Sequence, residues 1–190
     1  MIFQPTNLQG AYLIALEPVA DERGFFARSW CRQEFTDHGL DATLVQCNLS
    51  FNKRRGTLRG MHYQVAPSSE TKLIRCIRGA LYDVAIDLRP TSPTFLQWTG
   101  VTLTAENRLS FYIPQGFAHG FQTLANDTEI FYQMSEFYAP ASARGLRWND
   151  PLFAIQWPLA VTAISAKDQQ YPDFVVDPSP IAASTAITLV

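Results

Sequence analysis

Residues 56–72 of the chain read GTLRGMHYQVAPSSETK and have the pattern of a β-strand followed by a turn. This short stretch carries Arg59, His62 and Lys72. Metal binding, phosphate binding and proton abstraction beside a carbonyl can each use such a set of side chains. The rest of the sequence has to decide between these three kinds of chemistry.

The segments around this stretch have the pattern of further short strands. Residues 73–88 (LIRCIRGALYDVAIDL) form two apolar runs around Gly79, and residues 129–140 (EIFYQMSEFYAP) alternate in polarity. The best helix candidate is short and covers residues 31–40, with Gly39 as its C-terminal stop. Short strands with turn signals and almost no helix predict an all-β barrel or sandwich.

The composition fits one packed domain. The chain has 190 residues, of which 47% are hydrophobic and 17% charged, and its formal net charge is −2. A nearly neutral chain of this kind is not suited to broad electrostatic capture of nucleic acid or of an anionic membrane. We expect a single domain over residues 1–177, followed by a tail of small residues over residues 178–190.

Cysteine usage and the N-terminal residues point to the cytoplasm. Cys31, Cys47 and Cys76 are widely spaced and form no C-x-x-C pair, so we interpret them as reduced thiols. The first 22 residues contain no Lys or Arg, and the apolar run AYLIAL is too short for a signal sequence or a membrane span. We therefore expect a cytoplasmic protein.

Two spacings resemble the two motifs of the cupin superfamily, whose members are β jelly rolls. The first runs from Gly56 to His62, and the second is the P-x-G-x-x-H run that ends at His119. Metal-binding cupins carry H-x-H in the first motif, whereas Gln64 takes the second position here. The remaining candidates are His62, His119 and Glu70, a poor set for a tight transition-metal site, so we expect no metal cofactor.

Without a metal, His62 suits a general base, because a neutral imidazole can accept a proton near neutral pH. Lys72 is either a cation facing a cavity or a snorkelling edge residue, and Tyr132 offers a hydroxyl that can act as an acid. Base, cation and acid together suit proton abstraction next to a ketone, with the enolate held by the ammonium. Each of these residues taken alone is more often structural than catalytic.

The strand that precedes this stretch is unusually rich in amides. Residues 43–52 (TLVQCNLSFN) place Gln46, Asn48 and Ser50 on one side. Buried amides need hydrogen-bond partners, so this face meets either a polar ligand or water.

A longer series of motifs carries a more specific resemblance. In chain order they are DERGFF, VQCNLS, GTLRGMHYQ, KLIRCIRG, DVAIDLRPTSPTF, IPQGFAHGF, YAP, WNDP and SAKD. They resemble the dTDP-4-dehydrorhamnose 3,5-epimerase family of sugar-nucleotide epimerases over residues 21–172. The resemblance implies a cupin jelly roll and a cofactor-independent isomerase. Such an enzyme inverts C3, C5 or both in a nucleotide-diphospho-4-keto-6-deoxysugar.

The resemblance also implies roles for the residues at matching positions. His62 would be the base, Asp168 would orient it, Lys72 would stabilise the enolate oxygen, and Tyr132 would return a proton from the opposite face. Substrate contacts are implied for Arg23, Phe26, Arg28, Gln46, Asn48, Arg59, Asp83, His119 and Tyr138. The family is a homodimer that exchanges N-terminal strands, so some of these residues can serve the site of the neighbouring subunit.

Two places depart from the family pattern. Arg28 stands where dTDP-type members usually have a glutamate, and a guanidinium can only donate hydrogen bonds, so cytosine or guanine is an alternative to thymine. Ala141 and Ala143 lie in a loop where the family commonly carries a glutamate. The alternatives left open are an epimerase of C3 or C5 alone on a CDP- or GDP-sugar, and a catalytically silent nucleotide-sugar-binding cupin. Gln64 disfavours a third, a metal-dependent cupin enzyme.

Arg59 and His62 lie three residues apart in the predicted strand over residues 58–64. Strict alternation from Leu58 to Gln64 puts Arg59 and His62 on opposite faces. If both side chains serve one cavity, the strand needs a β-bulge, and Gly60 between them can host it.

Overall fold

The computed structural model describes residues 1–176, which form thirteen strands and two short helices. The strands are β1 (Ile2–Pro5), β2 (Tyr12–Ala15), β3 (Val19–Asp21), β4 (Gly24–Phe26), β5 (Gln46–Asn52), β6 (Leu58–Gln64), β7 (Lys72–Arg78), β8 (Ala80–Asp87), β9 (Trp98–Thr104), β10 (Ser110–Ile113), β11 (Phe117–Thr123), β12 (Thr128–Met134) and β13 (Ala143–Gly145). The helices are α1 (Arg32–Asp37) and α2 (Ala166–Gln169). The expected tail over residues 178–190, with the domain boundary at residue 177, lies outside the described residues.

Two antiparallel sheets pack face to face. The six-stranded sheet has the order β1-β2-β10-β7-β12-β5, and the five-stranded sheet has the order β13-β6-β11-β8-β9. Strands β3 and β4 form a separate two-stranded hairpin. The all-β sandwich that the short alternating segments predict is therefore confirmed.

Alternation along the strands supplies the core between the sheets. Ile74 and Cys76 of β7 and Ile130 of β12 face inward and pack in one cluster with Leu81 and Ala85 of β8. The intervening residues of β8 face the other way, into a second cluster beneath the C-terminal third of the chain. Because β8 is covered on both faces, its sequence is a nearly continuous apolar run.

The outer face of the six-stranded sheet is only partly covered. Helix α1 packs Phe35 against Leu73 and Tyr112, and it ends at Asp37, as the glycine stop two residues later predicts. Farther along the same sheet, Leu49 is 62% exposed. This part of the sheet therefore lacks a cover among residues 1–176.

The expected bulge is present in β6. Three steps along β6, from Arg59 to His62, match two steps along the paired strand β11, from Phe121 to His119. Gly60 lies inside the bulge with φ +131°, a backbone conformation that side-chain-bearing residues rarely adopt. The extra residue turns Arg59 and His62 toward one cavity.

Candidate active site

A cavity of about 550 Å³ is lined by strands of both sheets and by the segment that contains α2. Three of the four predicted catalytic side chains line it, namely His62, Lys72 and Tyr132. Predicted substrate contacts that also line it are Gln46, Asn48, Arg59, His119 and Tyr138. Most of the residues chosen from the sequence therefore meet in one place.

The predicted partner of His62 lies directly behind it. Asp168 of α2 contacts the imidazole Nε2 through Oδ1 at 2.8 Å, and its Oδ2 accepts a hydrogen bond from the Gly60 N–H at 3.2 Å. The side chain of Asp168 is 6% exposed, whereas that of His62 is 43% exposed. Among residues 1–176, no group forms a hydrogen bond with His62 Nδ1, so this nitrogen is free toward the cavity.

The environment keeps Asp168 ionised. Burial by itself raises the pKa of its carboxyl group, but the hydrogen bond and the charge of His62 oppose this effect, with help from Gly60 and Ser165. The net result is a pKa below the ordinary value of 3.8. An ionised carboxylate fixes the imidazole tautomer and stabilises an imidazolium.

Lys72 is held at the start of β7 by two acceptors. Its Nζ lies 2.9 Å from Oε1 of Glu70 and donates to the carbonyl oxygen of His62 at 3.2 Å. Both members of the ion pair are nearly buried, with side-chain exposures of 8% for Lys72 and 9% for Glu70. The ammonium is thus a fixed cation in the cavity wall.

Tyr132 of β12 carries the phenol of the site. Its ring stands edge-on to His119 with 6.2 Å between the ring centroids. Burial strongly raises the pKa of the phenol, the charge of Asp83 raises it further, and the charge of Arg59 opposes both. The hydroxyl therefore keeps its proton throughout the neutral range and is available as an acid.

A second histidine–carboxylate pair supports the cavity floor. His119 Nε2 lies 2.6 Å from Oδ1 of Asp83, which is fully buried. Asp83 is not among the residues that line the cavity, and its Oδ2 has no hydrogen-bond partner in the described part of the chain. Asp83 is therefore placed as a support for His119 and does not itself line the wall.

The amide-bearing face of β5 meets the cavity. Gln46 and Asn48 line it, and the side-chain oxygen of Gln46 accepts from the backbone N–H of Tyr138 at 3.1 Å. Arg59 lies nearby, with Nε donating to Oδ1 of Asn52 at 2.8 Å, which fixes the plane of its guanidinium. These groups offer donors and acceptors to a polar ligand.

Comparison with known proteins identifies the family. The profile described as dTDP-4-dehydrorhamnose 3,5-epimerase matches residues 5–175. The chain belongs to the dTDP-4-dehydrorhamnose 3,5-epimerase family. The membership predicted from the ordered motifs is confirmed.

Individual relatives agree with the family profile. A dTDP-4-dehydrorhamnose 3,5-epimerase from Salmonella typhimurium is 44% identical over 174 residues, covering 90% of this chain and 94% of the relative. The crystal structure of a protein of that name from Elizabethkingia anophelis aligns with a TM-score of 0.89 at 38% identity, covering 92% of this chain and 96% of that one. A crystal structure of a protein of the same name from Bacillus anthracis, with TDP and PPi bound, aligns with a TM-score of 0.87 at 40% identity. The alignment covers 91% of this chain and 99% of that one. The predicted cupin jelly roll is thereby confirmed.

Besides Asp83, which lies behind His119, three predicted substrate contacts lie outside the cavity of this epimerase-family chain. Arg23 and Phe26 belong to the exposed β3–β4 hairpin. Arg28 forms an ion pair with Glu34 at 2.7 Å beside a separate cleft of about 290 Å³. The fold of a single subunit does not bring these three side chains to His62.

Several lining residues of the epimerase-family site were not predicted. Those not named as catalytic or substrate-binding are Tyr63, Gln64, Glu70, Phe121, Met134, Ala143, Arg144, Lys167 and Tyr171. Lys167 precedes Asp168 in the SAKD motif and lies 5.9 Å from the ring centroid of Tyr171, which in turn stands edge-on to His62. The sequence signal for Lys167 was its position next to Asp168 in that motif, whereas Tyr171 lies beyond the end of α2.

Two negative observations apply to residues 1–176. No three His, Cys, Asp or Glu side chains in this range are grouped so that they could hold a metal ion. No helix in the range has the length and apolar character needed to cross a membrane.

Proposed function

We propose that this chain inverts C3, C5 or both centres of a dTDP-4-keto-6-deoxysugar by proton transfer. The observation that carries the proposal is the convergence of His62, Lys72 and Tyr132 on one cavity, with Asp168 behind the histidine. The relatives named dTDP-4-dehydrorhamnose 3,5-epimerase support the nucleotide and the sugar class. The 4-keto group of such a substrate acidifies both neighbouring C–H bonds, so epimerisation needs no change in oxidation state.

His62 removes the proton in the first step. Its Nε2–H donates to Asp168, so the lone pair on Nδ1 can accept the proton from the carbon next to the ketone. The C–H electron pair moves into the enolate, and the ionised Asp168 stabilises the imidazolium that results. General-base help of this kind contributes typically about 10²–10⁴-fold in rate.

Lys72 stabilises the charge that develops on the ketone oxygen. Its ammonium lines the cavity and is already desolvated, so it needs little reorganisation when the enolate forms. Removing an oxyanion donor from such a site costs about 2.7–4 kcal/mol of transition-state stabilisation.

Tyr132 completes the inversion by donating its proton to the opposite face of the enolate. The raised pKa of the phenol keeps that proton in place until a basic carbon is available. The phenolate that remains then recovers a proton from solvent, and His62 releases the one it took. In deuterated water the inverted carbon therefore carries deuterium.

The nucleotide portion would contact the rest of the cavity wall. Arg59 suits the diphosphate, because a guanidinium fork matches phosphate oxygens. Gln46 and Asn48 suit the base, and Tyr138 closes the adjoining wall.

We further propose a homodimer that exchanges N-terminal strands. In this arrangement Arg23, Phe26 and Arg28 serve the cavity of the partner subunit. This accounts for their position outside the cavity of their own subunit. The outer face of the six-stranded sheet supports an interface, because Leu49 is largely exposed there. On the same face Arg75 has a buried Nη2 that finds no acceptor within residues 1–176, and a partner subunit could supply one.

We also propose a cytoplasmic location. All three cysteines are free thiols in the structure, including the exposed Cys47. Unpaired thiols of this kind persist in a reducing compartment.

The experiment that tests the activity is proton NMR in deuterated water with dTDP-4-keto-6-deoxyglucose. We expect the C3 and C5 proton signals to disappear as deuterium enters. Loss of one signal would identify an epimerase of a single centre, and exchange only with the CDP-linked sugar would assign a different base. If the nucleotide sugar raises the thermal stability of the protein but none of its protons exchange with deuterium, the chain is a catalytically silent binding protein.

A further inference from the structure

We infer that Glu70 is a positioning residue for the reaction, acting through Lys72, and this inference rests on the proposed function. Glu70 lies in the loop between β6 and β7, two residues before Lys72, which is the first residue of β7. The two side chains meet at 2.9 Å in the wall of the cavity.

The neighbours of Glu70 place one hydrogen-bond donor against each of its two side-chain oxygens. Gln64 must turn its amide oxygen toward the backbone N–H of Ala139, which donates to it at 2.7 Å. Its Nε2 therefore faces Glu70 and donates to Oε2 at 2.9 Å. Since Lys72 donates to the other oxygen, two donors face the two oxygens of Glu70. Only a carboxylate accepts from both, because an amide has a single acceptor oxygen.

The hydrogen bonds of Lys72 then leave one direction open. An ammonium has three N–H donors. One points to Glu70 and a second to the carbonyl oxygen of His62, so the third is available to the cavity. This third N–H would donate a hydrogen bond to the enolate oxygen.

The backbone around Glu70 is itself fixed to the six-stranded sheet. The N–H of Thr71 donates to the Ser135 hydroxyl at 2.7 Å, and the N–H of Ser135 donates to the Thr71 carbonyl oxygen at 3.1 Å. Glu70 therefore holds Lys72 from a rigid support. A buried lysine without this counter-ion would pay its desolvation cost uncompensated and would move toward water.

A double-mutant cycle separates this role from a merely structural one. The variants are Glu70→Gln, Lys72→Met and the combination, each assayed for deuterium uptake at saturating substrate. We expect Glu70→Gln to lower kcat by up to about a hundredfold, the scale of a misplaced catalytic group, with KM changed far less. In the Lys72→Met background we expect the same substitution to change kcat less than about twofold, because the residue it acts on is gone.

The control is Glu106→Gln, which removes the same charge from an exposed loop residue outside the cavity. It should leave kcat unchanged. The inference would be overturned if Glu70→Gln kept the wild-type kcat, or if it reduced kcat by the same factor with Lys72 and with Met at position 72.

A second measurement does not depend on turnover. The chain has three lysines, and Lys53 and Lys167 are exposed, so ¹⁵N-lysine labelling should give one ammonium signal protected from exchange with water, that of Lys72. We expect Glu70→Gln to abolish this signal and Glu106→Gln to preserve it. A signal unchanged in Glu70→Gln would overturn the inference, whereas failure of the proposed function would appear separately, as absent deuterium uptake by the wild-type protein.

Discussion

At the residue scale, the site separates a base from an acid by their surroundings. His62 is half exposed and backed by an ionised carboxylate, whereas Tyr132 is desolvated and has a pKa raised well above its ordinary value. The carboxylate occupies Nε2 of the imidazole and leaves Nδ1 without a partner among residues 1–176, while the raised pKa of the phenol keeps it protonated. The residue types were predictable from the motifs, but this difference in burial was not.

Removing the phenol hydroxyl should stop turnover without preventing binding. For Tyr132→Phe we expect kcat to fall by about 10²–10⁴-fold, the usual contribution of a positioned acid, with little change in KM. Deuterium uptake into the substrate, measured by NMR, checks this. Tyr12→Phe on β2, outside the cavity, is the matched control. A wild-type rate in Tyr132→Phe would remove Tyr132 from the mechanism.

The lowered pKa of Asp168 also predicts how stability depends on pH. The unfolded chain has the ordinary value of 3.8, so the ionised carboxylate stabilises the folded state fully above that pH. The contribution disappears as pH falls from 3.8 through the lower pKa of the folded state. We expect the wild type's advantage over Asp168→Asn in free energy of unfolding to shrink as pH falls below about 4.

Chemical denaturation at a series of pH values from about 3 to 7 measures this difference. Asp173→Asn, which removes a carboxylate from an exposed ion pair with Arg147, is the control for loss of surface charge. If the difference in unfolding free energy between wild type and Asp168→Asn does not change between about pH 5 and pH 3, the pKa of Asp168 is not lowered in the folded state.

At the element scale, one bulged strand organises the cavity. Strand β6 supplies Arg59, His62 and Gln64, and the bulge at Gly60 allows the first two to share a face. Without the bulge, the pleat would send one of them to the other side of the sheet. A glycine between two candidate site residues was the sequence signal for it.

The bulge gives a stability prediction with an internal control. A Cβ at Gly60 would lie 2.5 Å from the Cα of Gly120. Gly24 has nearly the same φ, +130° against +131°, but apart from its two chain neighbours no described residue has an atom within 4 Å of its Cβ position. We expect Gly60→Ala to lower the free energy of unfolding by about 1–3 kcal/mol more than Gly24→Ala, the usual cost of overpacking.

Urea denaturation of both variants measures the difference. Gly24→Ala carries only the cost of the backbone conformation. The additional loss of unfolding free energy in Gly60→Ala therefore comes from the contact between β6 and β11. Equal losses in the two variants would mean that β11 moves away at negligible cost.

At the scale of the whole molecule, the proposed dimer has a direct test. His62→Ala and Arg23→Ala subunits would each form impaired homodimers, but a mixed dimer would contain one site with both residues intact. With random assembly, half the dimers are mixed and each has one intact site, so coexpression should restore about a quarter of wild-type activity. If Arg23 serves its own subunit, the mixture should be no more active than the average of the two homodimers.

The sequence by itself determined the all-β class, the family and about half of the residues in the cavity wall. Strand alternation and turn residues are local signals. The quoted motifs contain His62, Lys72 and Asp168, and Tyr132 lies in the alternating segment over residues 129–140. These predictions did not depend on how distant segments pack.

Only the tertiary structure decided which of those residues meet. It brings Asp168 to His62 across 106 positions of sequence, pairs Glu70 with Lys72, and leaves Arg23 on a hairpin outside the cavity. Such contacts depend on strand register and on the packing of one sheet against the other. The two-residue alternation of a β-strand specifies which face of the sheet a side chain occupies. It does not specify which residue of another strand or sheet lies against that side chain.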